Sequence, residues 1–167
     1  MISWVRNYII LMVYAIIYFN CNILYAETKP NIQIIPSDKP GFVSLFEDAN
    51  SNEFSLSNFS GKLVLVNLWA TWCEPCKEEM PSLDRLQNYF DKKEFHILAI
   101  SIDRGPKKGS LKFFKDFDIE NIDLFFDDKN DIPREIKALG LPVSIFFDSS
   151  GNEIARLIGP AEWDDQY

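Results

Sequence analysis

The chain has 167 residues, 47% apolar and 25% charged, with 25 acidic against 17 basic side chains and a formal net charge of −8. Such an excess of negative charge repels a phosphate backbone and argues against nucleic acid as a partner. About 140 residues follow Ala26, enough for one domain with one core.

From the N-terminus, Met1 to Arg6 is short and basic and Tyr8 to Phe19 is an unbroken apolar run, the pattern of an export signal. Its twelve residues fall short of the roughly twenty that cross a bilayer, but extension through Asn20, Cys21 and Asn22 to Ala26 approaches that length. Leu24-Tyr25-Ala26 permits cleavage before Glu27. Residues 1–26 therefore read as a signal peptide or a membrane anchor, the anchor slightly ahead, with Arg6 on the side that is not translocated. Cys21 is expected to be inert, because Asn20 and Phe19 stand where lipid attachment needs small residues. Residues 27–41 hold three prolines and read as a linker, followed by one domain over 42–167.

Phe42 to Glu47 and Glu53 to Leu56 flank the polar stretch Asp48 to Asn52, which suits a hairpin. Leu63 to Trp69 is continuous, apolar and rich in β-branched residues, as a buried strand is, and Trp69 is expected in the core. Then comes Trp72-Cys73-Glu74-Pro75-Cys76. Between Cys76 and Phe90, Met80, Leu83, Leu86 and Phe90 recur at steps of three and four, so one helix face turns inward while Lys77, Glu78, Asp84, Arg85 and Asn88 stay in water.

The first cysteine of the pair thus stands at a helix N-terminus, whose partial positive charge stabilises a thiolate. Cys73 is expected to be the exposed nucleophile. Cys76, one turn further in, is placed to attack the mixed disulfide that Cys73 forms with a substrate. Pro75 fits the first turn, where no backbone donor is missed. A structural disulfide is the other reading of the pair. Zinc needs about four ligands, and one histidine without a second cysteine pair argues against it. Glu74 opposes thiolate formation by like charge and Lys77 favours it by attraction. An extreme oxidant needs a strongly stabilised thiolate, so a negative residue in the motif leans toward a reductant.

His96 to Ile102 forms the next buried strand, with His96 a partly exposed structural residue. Lys107-Lys108-Gly109 is a loop, and Leu111, Phe114 and Phe117 mark the inner face of a helix. Asp123 to Phe126 is a short strand. Ile132 to Leu139 is a helix, with Asp131 as its N-cap and Pro133 in its first turn. Gly140-Leu141-Pro142 precedes Val143 to Asp148, and a proline at a strand's first residue is often a turn device that can hold a cis bond. Val143 to Asp148 and Glu153 to Ile158 form a hairpin around Ser149 to Asn152. A β-α-β unit followed by an antiparallel hairpin gives an α/β sandwich around a mixed sheet.

A Trp-Cys-x-Pro-Cys site after a buried strand, with Gly-x-Pro before a late strand, resembles the thioredoxin superfamily. The resemblance implies a three-layer α/β/α sandwich with an N-terminal hairpin extension. It also implies that Pro142 is a cis-proline packed on the disulfide Cys73–Cys76, with the backbone beside it pairing with the bound substrate. Trp72, Glu74, Pro75 and Leu141 are the expected docking residues. Asn67 to Pro81 narrows the likeness to the TlpA/ResA branch of extracytoplasmic thiol-disulfide reductases, and Gly159-Pro160-Ala161-Glu162-Trp163 resembles its TlpA members. Cytosolic thioredoxins carry a buried aspartate six residues before the first cysteine, where this chain has Asn67, which cannot exchange a proton. Glu79 matches the glutamate that the TlpA/ResA branch keeps near its disulfide, implying a proton acceptor for the resolving thiol; a solvated helix carboxylate is the other reading, and the accepted one for Glu78. The superfamily fold closes with a helix, and Pro160 to Tyr167 gives at most about two turns. A shortened C-terminal helix and a partly uncovered sheet face are expected, with Trp163 capping the open edge.

The leading functional reading is a reductase of protein disulfides outside the cytoplasmic membrane. It needs no cofactor beyond its redox-active disulfide. A lone cysteine pair in an oxidising compartment requires a reductant, which the resemblance implies is a membrane thiol transporter. The resemblance to TlpA implies copper-site cysteines of cytochrome oxidase and its copper chaperone as clients, with apocytochrome c as the alternative. A copper-binding assembly factor resembles Cys-x-x-x-Cys with a distal histidine, and no histidine follows His96. A peroxidase needs a differently placed single reactive cysteine.

Overall fold

The computed structural model describes residues 31–34 and 39–164. The expected leader or anchor at 1–26, with Cys21, lies outside them. The elements are β1 (Asn31–Ile34), β2 (Phe46–Glu47), β3 (Glu53–Phe54), a 3-10 turn (Leu56–Phe59), β4 (Leu63–Trp69), α1 (Glu74–Asn88), β5 (Phe95–Ser101), α2 (Lys108–Asp116), β6 (Asp123–Phe126), α3 (Asp131–Glu135), β7 (Val143–Phe147) and β8 (Glu153–Ile158).

All eight strands join one sheet in the order β1-β8-β7-β4-β5-β6-β2-β3. The segments with the longest apolar runs take its centre: β4 and β5 pair in parallel over seven residues each, the arrangement that buries both faces of a strand. β6 continues parallel to β5, and β7 pairs antiparallel with both β4 and β8. The sheet is mixed, as expected.

Alternation along these strands divides the core in two. Leu65 and Trp69 of β4 and Ile97 and Ala99 of β5 face α1 and α2, where they meet Met80, Leu83, Phe113 and Phe114. Val64, Val66, Leu68, Leu98 and Ile100 face the other way, onto Phe42, Phe46, Phe59 and Ile132. Helices or turns therefore cover both sheet faces.

Several expectations need correction. The linker expected over 27–41 contributes a strand, because β1 pairs antiparallel with β8. The residues Phe42 to Leu45 stay outside the hairpin, which shrinks to β2 and β3 and docks on β6. On α1, Asp84 is buried rather than wet: its Oδ1 accepts the backbone N–H groups of Glu120, Asn121 and Ile122, which pins the loop after α2. Phe90 falls beyond the helix end and is exposed, edge-on to Phe95. The α2 helix starts at Lys108, inside the expected loop, and turns Ser110, Phe113 and Phe114 inward, leaving Leu111 and Phe117 exposed. The cause is Trp69, whose ring lies 5.2 and 5.7 Å from Phe113 and Phe114.

The α3 helix is short and its N-cap is Asn130, in the left-handed region at φ 56°, rather than Asp131. The capping carboxylate comes from Asp127, which accepts from the N–H groups of Asp131 and Ile132. Lys137, also left-handed at φ 55°, keeps the helix from reaching Leu139. His96 is buried rather than partly exposed; its Nε2 lies 2.7 Å from Asp123 Oδ2. Residues 159–164 form no helix. They cross α1 instead, and Trp163, expected as a cap on the core, packs against Phe146 at 6.2 Å and on the cluster between the sheet and α1.

Candidate active site

The β4 strand ends at Trp69 in the middle of the sheet, and a short turn follows. Asp103 fixes that turn by accepting from the Thr71 N–H and hydroxyl, while Ser101 and Ser110 donate to the same carboxylate. Cys73 is the N-cap of α1, with extended backbone (φ −94°, ψ 99°), and makes no side-chain capping bond. Its carbonyl accepts the first helical hydrogen bond, from Lys77. Glu74 and Pro75 form the first turn, where proline loses no bond.

Cys73 and Cys76 are joined in a disulfide, Cα atoms 5.3 Å apart. The structure is thus the oxidised state. Cys76 is fully buried, and Cys73 is 6% exposed. The order of exposure is the expected one, but Cys73 is much less open than a free nucleophile, because the disulfide folds its sulfur onto the core. Trp72, 66% exposed, projects beside it. Lys77 Nζ donates to Glu74 Oε1 at 2.7 Å, so the two charges flanking the pair bind each other and largely cancel at the sulfurs.

The Leu141–Pro142 peptide is cis. Val143 pairs with Leu68 in the antiparallel register of β7 and β4, which sets Pro142 level with Trp69 at the strand end leading to Cys73. Leu141 packs against the cluster containing both cysteines. The Pro142 carbonyl is engaged by the Gly159 N–H at 3.0 Å. The turn before β7 and the cysteine turn are therefore neighbours, the arrangement that the family resemblance implied.

The same register explains Glu79. Asn67 stands opposite Ser144, and alternation aims both at α1, where their side chains bond each other at 2.9 Å. Glu79, one helical turn after Cys76, lies on the same face. It is 2% exposed. Asn67 Nδ2 donates to its Oε1 at 2.7 Å, and Ala161 N–H and Trp163 Nε1–H donate to its Oε2 at 3.0 and 3.2 Å. Burial pushes its carboxyl up from the ordinary 4.5 to about 7, against the pull of these three donors. The solvated-carboxylate reading thus fails for Glu79 and holds for exposed Glu78. Sequence reasoning missed Ala161 and Trp163 as its partners and Ser144 as the partner of Asn67, although a polar Ser144 inside an apolar strand was a usable signal. Among the described residues, no three side chains of His, Cys, Asp and Glu gather as a metal site.

A buried Cys-x-x-Cys disulfide at a helix start, beside a cis-proline turn on a mixed central sheet, makes this a thiol-disulfide oxidoreductase of thioredoxin-like fold. The chain belongs to the AhpC/TSA family, whose model matches residues 39–156. It is 30% identical over 132 residues to the thiol-disulfide oxidoreductase ResA of Bacillus thuringiensis subsp. konkukian, covering 79% of this chain and 74% of that one. Among solved structures, the thioredoxin domain of a thiol-disulfide oxidoreductase from Bacteroides vulgatus superposes with a TM-score of 0.66 at 26% identity, covering 77% of this chain and 93% of that one. A thiol:disulfide interchange protein DsbE from Chlorobium tepidum shares the fold, with a TM-score of 0.69 at 24% identity, covering 78% and 90%.

Proposed function

We propose that the chain reduces protein disulfides outside the cytoplasmic membrane and that its clients are copper-site cysteines of cytochrome oxidase and of its copper chaperone. The observation that carries the exchange chemistry is the Glu79 carboxyl, buried one turn from Cys76 and titrating near neutral pH; the reducing direction follows from the likeness to the TlpA/ResA reductases. The client class follows from the likeness of Gly159 to Trp163 to TlpA. The extracytoplasmic setting follows from the leader pattern over 1–26.

In the forward direction the Cys73 thiolate attacks one sulfur of the client disulfide, and the other client sulfur leaves as a thiolate. Glu79 takes the proton of Cys76. The Cys76 thiolate then attacks Cys73 Sγ, releasing the second client thiolate and closing the Cys73–Cys76 disulfide. Two electrons pass to the client, and a membrane thiol transporter restores the dithiol. The pair itself carries the electrons, so the scheme needs no cofactor. Trp72, Glu74, Pro75 and Leu141 form the docking rim, and the backbone beside Pro142 pairs with the client segment.

Cys76→Ser in the native cell should hold a client as a mixed disulfide on Cys73. Recovery of copper-site proteins supports the proposal; recovery of apocytochrome c instead moves the client to cytochrome c maturation. Stoichiometric copper on the reduced pair points to an assembly factor.

A further inference from the structure

After β8 the chain turns back over α1 and is fastened there repeatedly. Gly159 N–H bonds the Pro142 carbonyl. Ala161 N–H and Trp163 Nε1–H both donate to Glu79 Oε2, and the Trp163 backbone N–H donates to Ser82 Oγ at 3.1 Å. Arg85 holds the carboxylates of Glu162 and Asp164 at 3.0 and 2.5 Å. The indole itself packs into the cluster that contains Cys73 and Cys76. Glu79 is therefore gripped on one oxygen by the sheet, through Asn67, and on the other, among the described residues, by this segment.

We infer that residues 159–164 form a strap that positions Glu79, and that Trp163 is its positioning residue, holding the carboxylate beside Cys76 through the indole N–H. The inference rests on the reading of Glu79 as proton acceptor. Donors on Oε2 favour the carboxylate over the acid, and so offset part of the burial that drives the group toward its neutral form. The groups that face Glu79 are Asn67 from β4, Ser144 of β7 behind it, and Ala161 and Trp163 of the strap, all neutral. Of the charged side chains on the packed elements, Glu162 and Asp164 of the strap are bound to Arg85 of α1, Lys77 is bound to Glu74, Asp84 is bound to the backbone at 120–122 and Glu78 is exposed, while Cys76 is held in the disulfide. A strap with its donors in place keeps Glu79 ionisable near neutrality; loss of those donors with the burial kept drives it toward the acid, unable to take the thiol proton.

The test is the carbon-13 carboxyl titration of Glu79 in the oxidised full-length protein. Trp163→Phe keeps an aromatic ring on Phe146 and removes only the donor. It should raise the Glu79 midpoint by about half a unit or more, the size of one lost neutral hydrogen bond. An unmoved midpoint in a folded Trp163→Phe protein overturns the strap. The pH profile of disulfide exchange separates the two readings. If Glu79→Gln leaves that profile unchanged, the proton-acceptor role fails even where the midpoint moves. If Glu79→Gln changes the profile while Trp163→Phe moves no midpoint, only the strap fails.

Discussion

Asn67 and Glu79 bond across the β4–α1 interface at 2.7 Å, both shut off from solvent. The amide cannot exchange a proton, so the titration at this place belongs to the helix carboxyl. Its folded value of about 7 lies above the ordinary 4.5. A carboxyl raised on folding contributes stability that is complete below its unfolded value and is lost as pH rises through the folded one. Relative to Glu79→Gln, the wild type should therefore lose stability between about pH 4.5 and 7, by about 3 kcal/mol over that window. Urea denaturation across it checks this; parallel curves for the two proteins contradict it.

Asp84 anchors α1 to the loop before β6 through three backbone N–H groups and the Asn121 side chain. Asp84→Ala strands those donors in a half-buried place and should cost about 3 kcal/mol, whereas Asp84→Asn keeps an acceptor and should cost about half as much. Equal, small losses in denaturation midpoint are the contrary result.

Glu153 and Arg156 make a two-point ion pair at 2.8 and 3.0 Å, both nearly sealed from solvent. Removing one partner leaves a buried charge, so Arg156→Met should destabilise by about 3 kcal/mol or more. Because Lys39 also reaches Glu153 at 3.2 Å, part of that charge stays balanced. The double change Arg156→Met with Glu153→Leu should recover much of the loss in a thermodynamic cycle; strict additivity contradicts the pairing.

Burial acts most strongly on Asp123 and pushes its carboxyl up, but the hydrogen bonds from His96 and Lys92 together outweigh it and bring the group down to about 2. A lowered carboxyl contributes stability above its unfolded value that is lost as pH falls through the folded one. Asp123→Asn should flatten the acid limb between about pH 4 and 2; an unaltered limb there places the acid sensitivity elsewhere.

The central strands were legible because a buried parallel strand writes itself as a nearly continuous apolar run, as Leu63 to Trp69 does with Asn67 its one polar residue. The cysteine turn was legible because Cys-x-x-Cys at a strand-to-helix junction has a mechanism. What stayed hidden depended on contacts distant in sequence. Asp84 looks like a solvated helix residue until the loop at 120–122 closes over it. Phe113 and Phe117 both fit a helical stripe, and only the position of Trp69 selects Phe113. Asn31–Ile34 lies among prolines and becomes a strand because β8 offers an open edge. At the site, Asn67 and Glu79 were readable one by one, but the Asn67–Ser144 register and the return of Trp163 over α1 were not.

The most direct measurement is the reaction of the reduced protein with a disulfide-bonded client peptide, in wild type and in the two cysteine variants, with the linked sulfurs assigned by mass spectrometry. Cys76→Ser should accumulate a mixed disulfide on Cys73, Cys73→Ser should form none, and wild type should release reduced peptide and return to the Cys73–Cys76 disulfide. A mixed disulfide carried by Cys76 in Cys73→Ser, or full turnover without Cys73, contradicts the assignment of nucleophile and resolving thiol.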